Sequence, residues 1–63
     1  MTVKFQRRIY DAARIGRNII HGKYEYTIDY HHMAVTHTWI IRRLANCPWH
    51  DWEWLQPLDT NIR

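Results

Sequence analysis

The chain has 63 residues, a formal net charge of +3, no serine and a single cysteine, Cys47. A chain of this length forms one domain at most, which would span residues 1–63. The core of so small a domain often needs a metal, a disulfide or a partner chain for its stability. The lone thiol excludes an intrachain disulfide and is typical of a reducing compartment. No apolar run reaches the roughly 18 residues of a membrane span, and no signal-peptide segment opens the chain. We therefore expect a cytoplasmic protein without membrane contact.

The first predicted element is an amphipathic helix over residues 3–21. At 100° per residue its apolar side chains share one face. That face consists of Phe5, Ile9, Ala12, Ala13, Ile15, Gly16, Ile19 and Ile20. Thr2 is the predicted N-cap and Gly22 the predicted residue just past the C-terminus. Gly16 is expected to let a second helix approach closely.

The segment after this helix has two interpretations. Tyr24, Tyr26, Ile28 and Tyr30 alternate with polar residues, which is typical of a strand. A lone strand in a helical chain would have no partner within the chain, so we favour a short loop. We then predict a second helix over residues 28–45.

This second helix is apolar on two opposite sides. Ile28, Val35 and Trp39 form one stripe, and a wider apolar face lies opposite. A helix of this kind must be buried on both sides. Since the first helix can cover only one side, the other needs the C-terminal segment or a second subunit. The pattern therefore favours self-association, most simply as a dimer.

The C-terminal segment is predicted to form a short helical turn over residues 48–55, with a frayed tail over 58–63. Trp49 and Trp52 are expected to cap the chain's own core, whereas Trp54 points elsewhere and is the better surface residue. The expected fold is all-α, an antiparallel helical hairpin with a short C-terminal helical turn. We expect it to be dimeric, because its core needs a partner.

Catalytic and metal sites are poorly supported by the sequence. Cys47 and His50 have the spacing of a thiol–imidazole pair, but only Asp51 is near enough to orient the imidazole. A chain this short also offers little room for a substrate pocket. Five histidines and Cys47 are potential metal ligands, yet the paired spacing of a zinc site is missing. We expect no enzyme activity, no metal and no cofactor.

Two binding functions remain. The favoured one is protein–protein interaction, through the residues that the helical map leaves uncovered: Ile28, Val35, Trp39 and Trp54. The alternative is a small DNA-binding regulator that uses the basic face of the first helix. In that case Arg7, Arg14 and Arg17 would contact phosphates.

The whole chain resembles the short early proteins of lambda-type temperate phages that are encoded between the exo and xis genes. The resemblance lies in the small size, the basic opening Met1-Thr2-Val3-Lys4-Phe5-Gln6-Arg7-Arg8 and the aromatic ending Cys47-Pro48-Trp49-His50-Asp51-Trp52-Glu53-Trp54. It implies an early accessory regulator that acts in the bacterial cytoplasm on host physiology or on the choice between lysis and lysogeny. A host or phage protein would then be its partner. No functional residue can be carried over.

Overall fold

One helix and a four-stranded antiparallel sheet make up the structure, a computed structural model that describes residues 1–30 and 38–62. The elements are α1 (Val3–Arg14), β1 (Ile19–His21), β2 (Tyr24–Asp29), β3 (Trp39–Leu44) and β4 (Glu53–Pro57). The strands lie side by side in chain order, and α1 packs against β1 and β2. The all-α helical hairpin predicted from the sequence is therefore wrong.

Helix α1 begins as predicted but ends at Arg14 instead of His21. Thr2 caps it, because its Oγ1 accepts a hydrogen bond from the Phe5 N–H at 3.1 Å. At the other end Gly16 adopts a left-handed conformation with φ of 75°. The N–H groups of Gly16 and Arg17 then bond to the carbonyls of Ala13 and Ala12, which is the Schellman arrangement of a helix end.

Gly16 consequently stops the helix and does not serve as a close contact. No atom lies within 4 Å of the place where its Cβ would be, so no second helix approaches there. Gly22, predicted to follow the helix, instead turns the hairpin between β1 and β2, with a φ of 63°. A glycine at the first position of a two-residue loop favours a tight hairpin turn of this kind.

The strand-like alternation at Tyr24, Tyr26 and Ile28 is a real strand, β2. The objection that it would lack a partner is wrong, since β1 and β3 of the same chain pair with it on either side. The helix predicted over residues 28–45 is wrong for the same reason, although residues 31–37 of that range lie outside the described part.

The apolar residues assigned to two sides of a second helix are instead distributed over the two faces of a sheet, and Ile28, assigned to the stripe with Trp39, lies in the core with Ile40. Ile40 and Ile41 are consecutive in β3, and successive side chains of a strand point to opposite faces. Ile40 is 0% exposed and Ile41 is 7% exposed, so both faces of β3 are buried at this point. A sheet accommodates such a pair of neighbours, whereas a helix would place them 100° apart on one side.

The C-terminal segment forms one turn and a strand. The His50 N–H bonds to the Cys47 carbonyl at 3.0 Å, and β4 follows in place of the predicted helical turn. The pairing of β3 with β4 shifts register between Ile40 and Ile41.

Residues beyond β4 pack against the body of the protein, so the prediction of a frayed tail is wrong for residues 58–62. Leu58 and Ile62 are 8% and 4% exposed and belong to the core. The buried Gln6 of α1 accepts a hydrogen bond from the Asp59 N–H at 2.9 Å and so holds the tail. The core is a single cluster made of Ile9, Tyr26, Ile28, Ile40, Leu58 and Ile62.

Candidate interaction surfaces

The sheet has one face covered by α1 and one face that no described helix or strand covers. Tyr26 lies on the covered face, because its ring contacts Phe5 of α1 at 5.3 Å between centroids. Strand alternation and the pairing register then assign the other side chains. We call the opposite side the open face; it carries Ile20, Glu25, Thr27, Asp29, Trp39, Ile41, Arg43 and Trp54.

The apolar part of the open face is built around two tryptophans from neighbouring strands. The rings of Trp39 and Trp54 stack at 5.6 Å with an interplanar angle of 29°. Ile41 is directly opposite Trp54 in the register and follows Trp39 on the same face. Trp54 remains 43% exposed. Aromatic pairs of this geometry are rigid and present a large apolar area at a low conformational cost.

The Trp39 indole contributes a polar feature to the same cluster. Its Nε1–H is a buried donor that has no hydrogen-bond partner, and it is the one such side-chain atom among residues 1–30 and 38–62. A buried unpaired donor costs about 1–3 kcal/mol. In its stack with Trp54, the Trp39 ring therefore occupies a position that leaves the Nε1–H unpaired.

The charges on the open face largely cancel. Arg43 Nε donates to Glu25 Oε1 at 2.6 Å, and Asn18 donates to the other oxygen of the carboxylate at 3.0 Å. The hydrogen bond from Arg43 lowers the pKa of the Glu25 carboxyl from its usual 4.5, and the bond from Asn18 lowers it further. The Arg43 guanidinium also lies 4.4 Å above the Trp52 ring. These contacts fix the polar border of the aromatic cluster.

The structure brings together only part of the predicted contact set. Trp39 and Trp54 meet on the open face, as described above. Ile28 points the other way and lies in the core with 6% exposure, so it is not available to a partner. Val35 lies outside the described residues. Trp49, expected to cap the core, is 75% exposed in the turn before β4.

Sequence reasoning missed Ile41, Glu25 and Arg43 as members of this surface. The signal that could have found them is the alternation of residues 24–29, read together with the Gly22-Lys23 hairpin loop. That reading puts Glu25 opposite the residues that face α1. Without the β2–β3 pairing, however, no pattern in the sequence joins Glu25 to Arg43.

The outer side of α1 forms a second charged surface. Lys4, Arg7, Arg8 and Arg14 are exposed there and surround one acid, Asp11. Arg8 and Arg14 lie over the rings of Phe5 and Tyr10 of the same helix, at 5.8 Å and 5.7 Å. Arg17, predicted at the edge of this face, lies beyond the helix end in the Schellman turn.

A small cavity of about 230 Å³ lies at the end of the sheet near the Cys47–His50 turn. Its charged walls are largely engaged with each other: Arg42 pairs with Glu53, and its guanidinium lies 4.0 Å above the Tyr24 ring. The Glu53 hydrogen bond raises the pKa of Arg42 above its usual value. In the described residues no hydrogen bond joins the Cys47 thiol to His50, although their spacing in the sequence is that of a thiol–imidazole pair.

Residues 1–30 and 38–62 contain no group of three or more His, Cys, Asp or Glu side chains placed to hold a metal ion. In the same part of the chain no helix has both the length and the apolar character needed to cross a membrane.

Comparison with known proteins found no matching family model, no similar curated protein and no similar solved structure.

Proposed function

We propose that this chain is a non-catalytic protein–protein interaction module whose open face binds a second copy of itself. The observation that carries the proposal is the stacked Trp39–Trp54 pair beside Ile41, on a sheet face without a covering element in the described chain. Sheets bury their apolar face against another layer, and exposed apolar clusters of this kind commonly mark contact sites. Tryptophan is also among the residues that contribute most to binding energy.

The face of the sheet is a better contact surface than its edges. The edge strand β1 spans only Ile19–His21, and the other edge strand, β4, begins with Glu53 and ends at Pro57. Short strands, charged residues and proline are the features that discourage pairing with a further strand. A partner is therefore expected to pack on the tryptophans and not to extend the sheet.

The charges of the open face favour a protein partner over a nucleic acid. Among the described residues of this face Glu25 and Asp29 are acidic, and the cation Arg43 is already engaged by Glu25. Contacts between the phosphates of a nucleic acid and such a surface would add little binding energy. A second copy suits it, since in a two-fold dimer the apolar cluster meets an identical apolar cluster.

The resemblance to early phage proteins adds a biological setting to this proposal. It would make the module a regulator in the bacterial cytoplasm that acts on host physiology or on the choice between lysis and lysogeny. A host or phage protein would then be a further partner of the same chain.

Sedimentation velocity across a wide range of protein concentrations tests the proposal. We expect a reversible dimer in which Trp54→Ala weakens association at least tenfold, because Trp54 is at the centre of the contact. Trp49→Ala is the matched control: Trp49 is more exposed but lies off the open face, so its loss should leave association unchanged. A strict monomer at every concentration, or equal weakening by both substitutions, would contradict the proposal.

A further inference from the structure

The cations on the sheet and those on the outer side of α1 differ in their partners. Arg42 and Arg43, on the sheet, each hydrogen-bond to a glutamate, Glu53 and Glu25 respectively. In the described chain, no ion pair neutralises any of the four cations on the outer side of α1. We call these residues the basic stripe: Lys4, Arg7, Arg8 and Arg14.

The geometry of α1 makes the basic stripe a continuous surface. Ile9 and Gln6 define the buried side of the helix, at 0% and 4% exposure. At 100° per residue the four cations lie within one 120° arc on the opposite side. From Lys4 to Arg14 the stripe covers about 15 Å along the axis, at 1.5 Å per residue. Asp11 is the one acid within this arc.

We propose that the basic stripe binds the phosphate backbone of a double-stranded nucleic acid, without reading its sequence. Three of the four cations are arginines, whose planar guanidinium groups match phosphate oxygens in a paired geometry. Gln6, the one side-chain amide of α1, is buried and bonded to Asp59, so it is not free to contact a base edge. Backbone contact by cations alone gives affinity without sequence preference.

An anionic membrane is a less suitable ligand for this helix. Helices that lie on a membrane surface insert an apolar face below the lipid headgroups. The apolar face of α1 is already occupied, since Ile9 belongs to the core and Phe5 packs against Tyr26. Of the exposed apolar side chains nearby, Met1 and Val3 lie at the start of the helix and Ile15 lies at its end, so they form no common face.

The inference does not depend on the proposed dimer. The basic stripe lies on the helix side of the sheet and the Trp39–Trp54 cluster on the other side, so one ligand does not obstruct the other. Each surface can therefore be altered by substitution without touching its counterpart.

Fluorescence anisotropy with labelled duplex DNA and duplex RNA of equal length, measured over a series of salt concentrations, tests the inference. We expect binding to at least one duplex, with affinity falling by nearly one log unit per log unit of salt for each phosphate contacted, about 3–4 in all. Arg7→Gln with Arg14→Gln should lower that slope by about 2. Asp11→Asn should instead strengthen binding severalfold, because it removes the acid from the arc.

Lys23→Gln is the control for charge. Lys23 is an exposed cation in the β1–β2 turn, away from the stripe, so its loss should change affinity much less than Arg7→Gln does. Trp54→Ala should leave the salt slope of duplex binding, counted per chain, unchanged even if it abolishes association. The result for this variant therefore separates nucleic-acid binding from the proposed dimer.

Three results would overturn the inference. One is no binding to either duplex at low salt. Another is binding that survives the double substitution with its salt slope intact. The third is binding to anionic vesicles or to an acidic polypeptide at salt concentrations where neither duplex binds.

Discussion

Ile40 and Ile41 are the same residue type at adjacent positions of one strand, yet they belong to two different environments. Ile40 is fully buried in the core beneath α1, together with Ile9 and Ile28. Ile41 is almost as buried, but it lies on the open face beside two tryptophans, one of them 43% exposed. One side of the sheet therefore forms the folded core of the chain, while the other is an apolar surface suited to contact.

The largest expected effect tests this comparison directly. Ile40→Ala should lower the free energy of unfolding by about 2–5 kcal/mol, the range for truncating a fully buried isoleucine in a packed core. Ile41→Ala removes the same atoms from a site on the open face, where neighbouring side chains can move into the space, so the loss in the monomer should be smaller. Urea unfolding at low protein concentration, followed by circular dichroism, measures both.

Equal losses from the two substitutions would show that the open face is as much a part of the monomer core as the covered face. Repeating both measurements at high protein concentration sharpens the result. If the open face is a dimer contact, the free energy of unfolding should rise with protein concentration, because association adds to apparent stability by mass action. Ile41→Ala should reduce this rise, whereas Ile40→Ala should not.

A smaller effect is expected at the hydrogen bond that joins Gln6 of α1 to the Asp59 N–H in the C-terminal tail. Gln6→Leu keeps the approximate size of the side chain but leaves the Asp59 N–H without its acceptor, so we expect a loss of about 1–3 kcal/mol. Asn61→Ala is the control, because it changes the same C-terminal turn at an exposed position. Thermal unfolding of both variants checks the prediction, and a loss no greater for Gln6→Leu than for Asn61→Ala would count against the role given to Gln6.

The sequence predicts best those parts of the fold that depend on interactions between residues close together along the chain. The start of α1 is local: Thr2 and the spacing of Phe5 and Ile9 specify the cap and the inner side of the first turns, and these predictions are confirmed. The prediction that places Ile15 on the same apolar face is wrong, because Ile15 is 69% exposed. The helix end is also local, but two glycines compete for it, and the apolar spacing continues past Gly16 to Ile20. The choice of Gly22 followed that spacing and was wrong.

The strands could not be predicted with the same ease, because their evidence is not local. The alternation at residues 24–29 is as clear as the helical pattern of α1, but a strand is stable only when it is paired. Its main partner, Trp39–Leu44, is separated from it by residues 30–38 and has adjacent isoleucines that disguise its own alternation. Trp39 and Trp54 could be predicted individually as contact residues, whereas their stacking follows only from the β3–β4 register.

The smallest expected effect concerns the polar border of the open face. The folded protein lowers the pKa of Glu25 below 4.5, chiefly through its hydrogen bond from Arg43. The charged carboxylate is therefore favoured by folding, and its contribution is complete above the unfolded pKa and disappears as the pH falls through the lower, folded value. Glu25→Gln should remove that contribution, so that unfolding free energies of variant and wild type differ at neutral pH and converge in acid. The difference at neutral pH should be about 1 kcal/mol, typical of a hydrogen-bonded ion pair at a partly buried site.

Glu53→Gln supplies the comparison for that measurement. Glu53 pairs with Arg42 at a more exposed position, with 54% of its side chain accessible against 15% for Glu25. Solvent weakens an ion pair more strongly where it is exposed. The pH-dependent difference should therefore be smaller for Glu53→Gln than for Glu25→Gln; the reverse order would mean that the Arg43–Glu25 pair does not define the border of the tryptophan cluster as its geometry indicates.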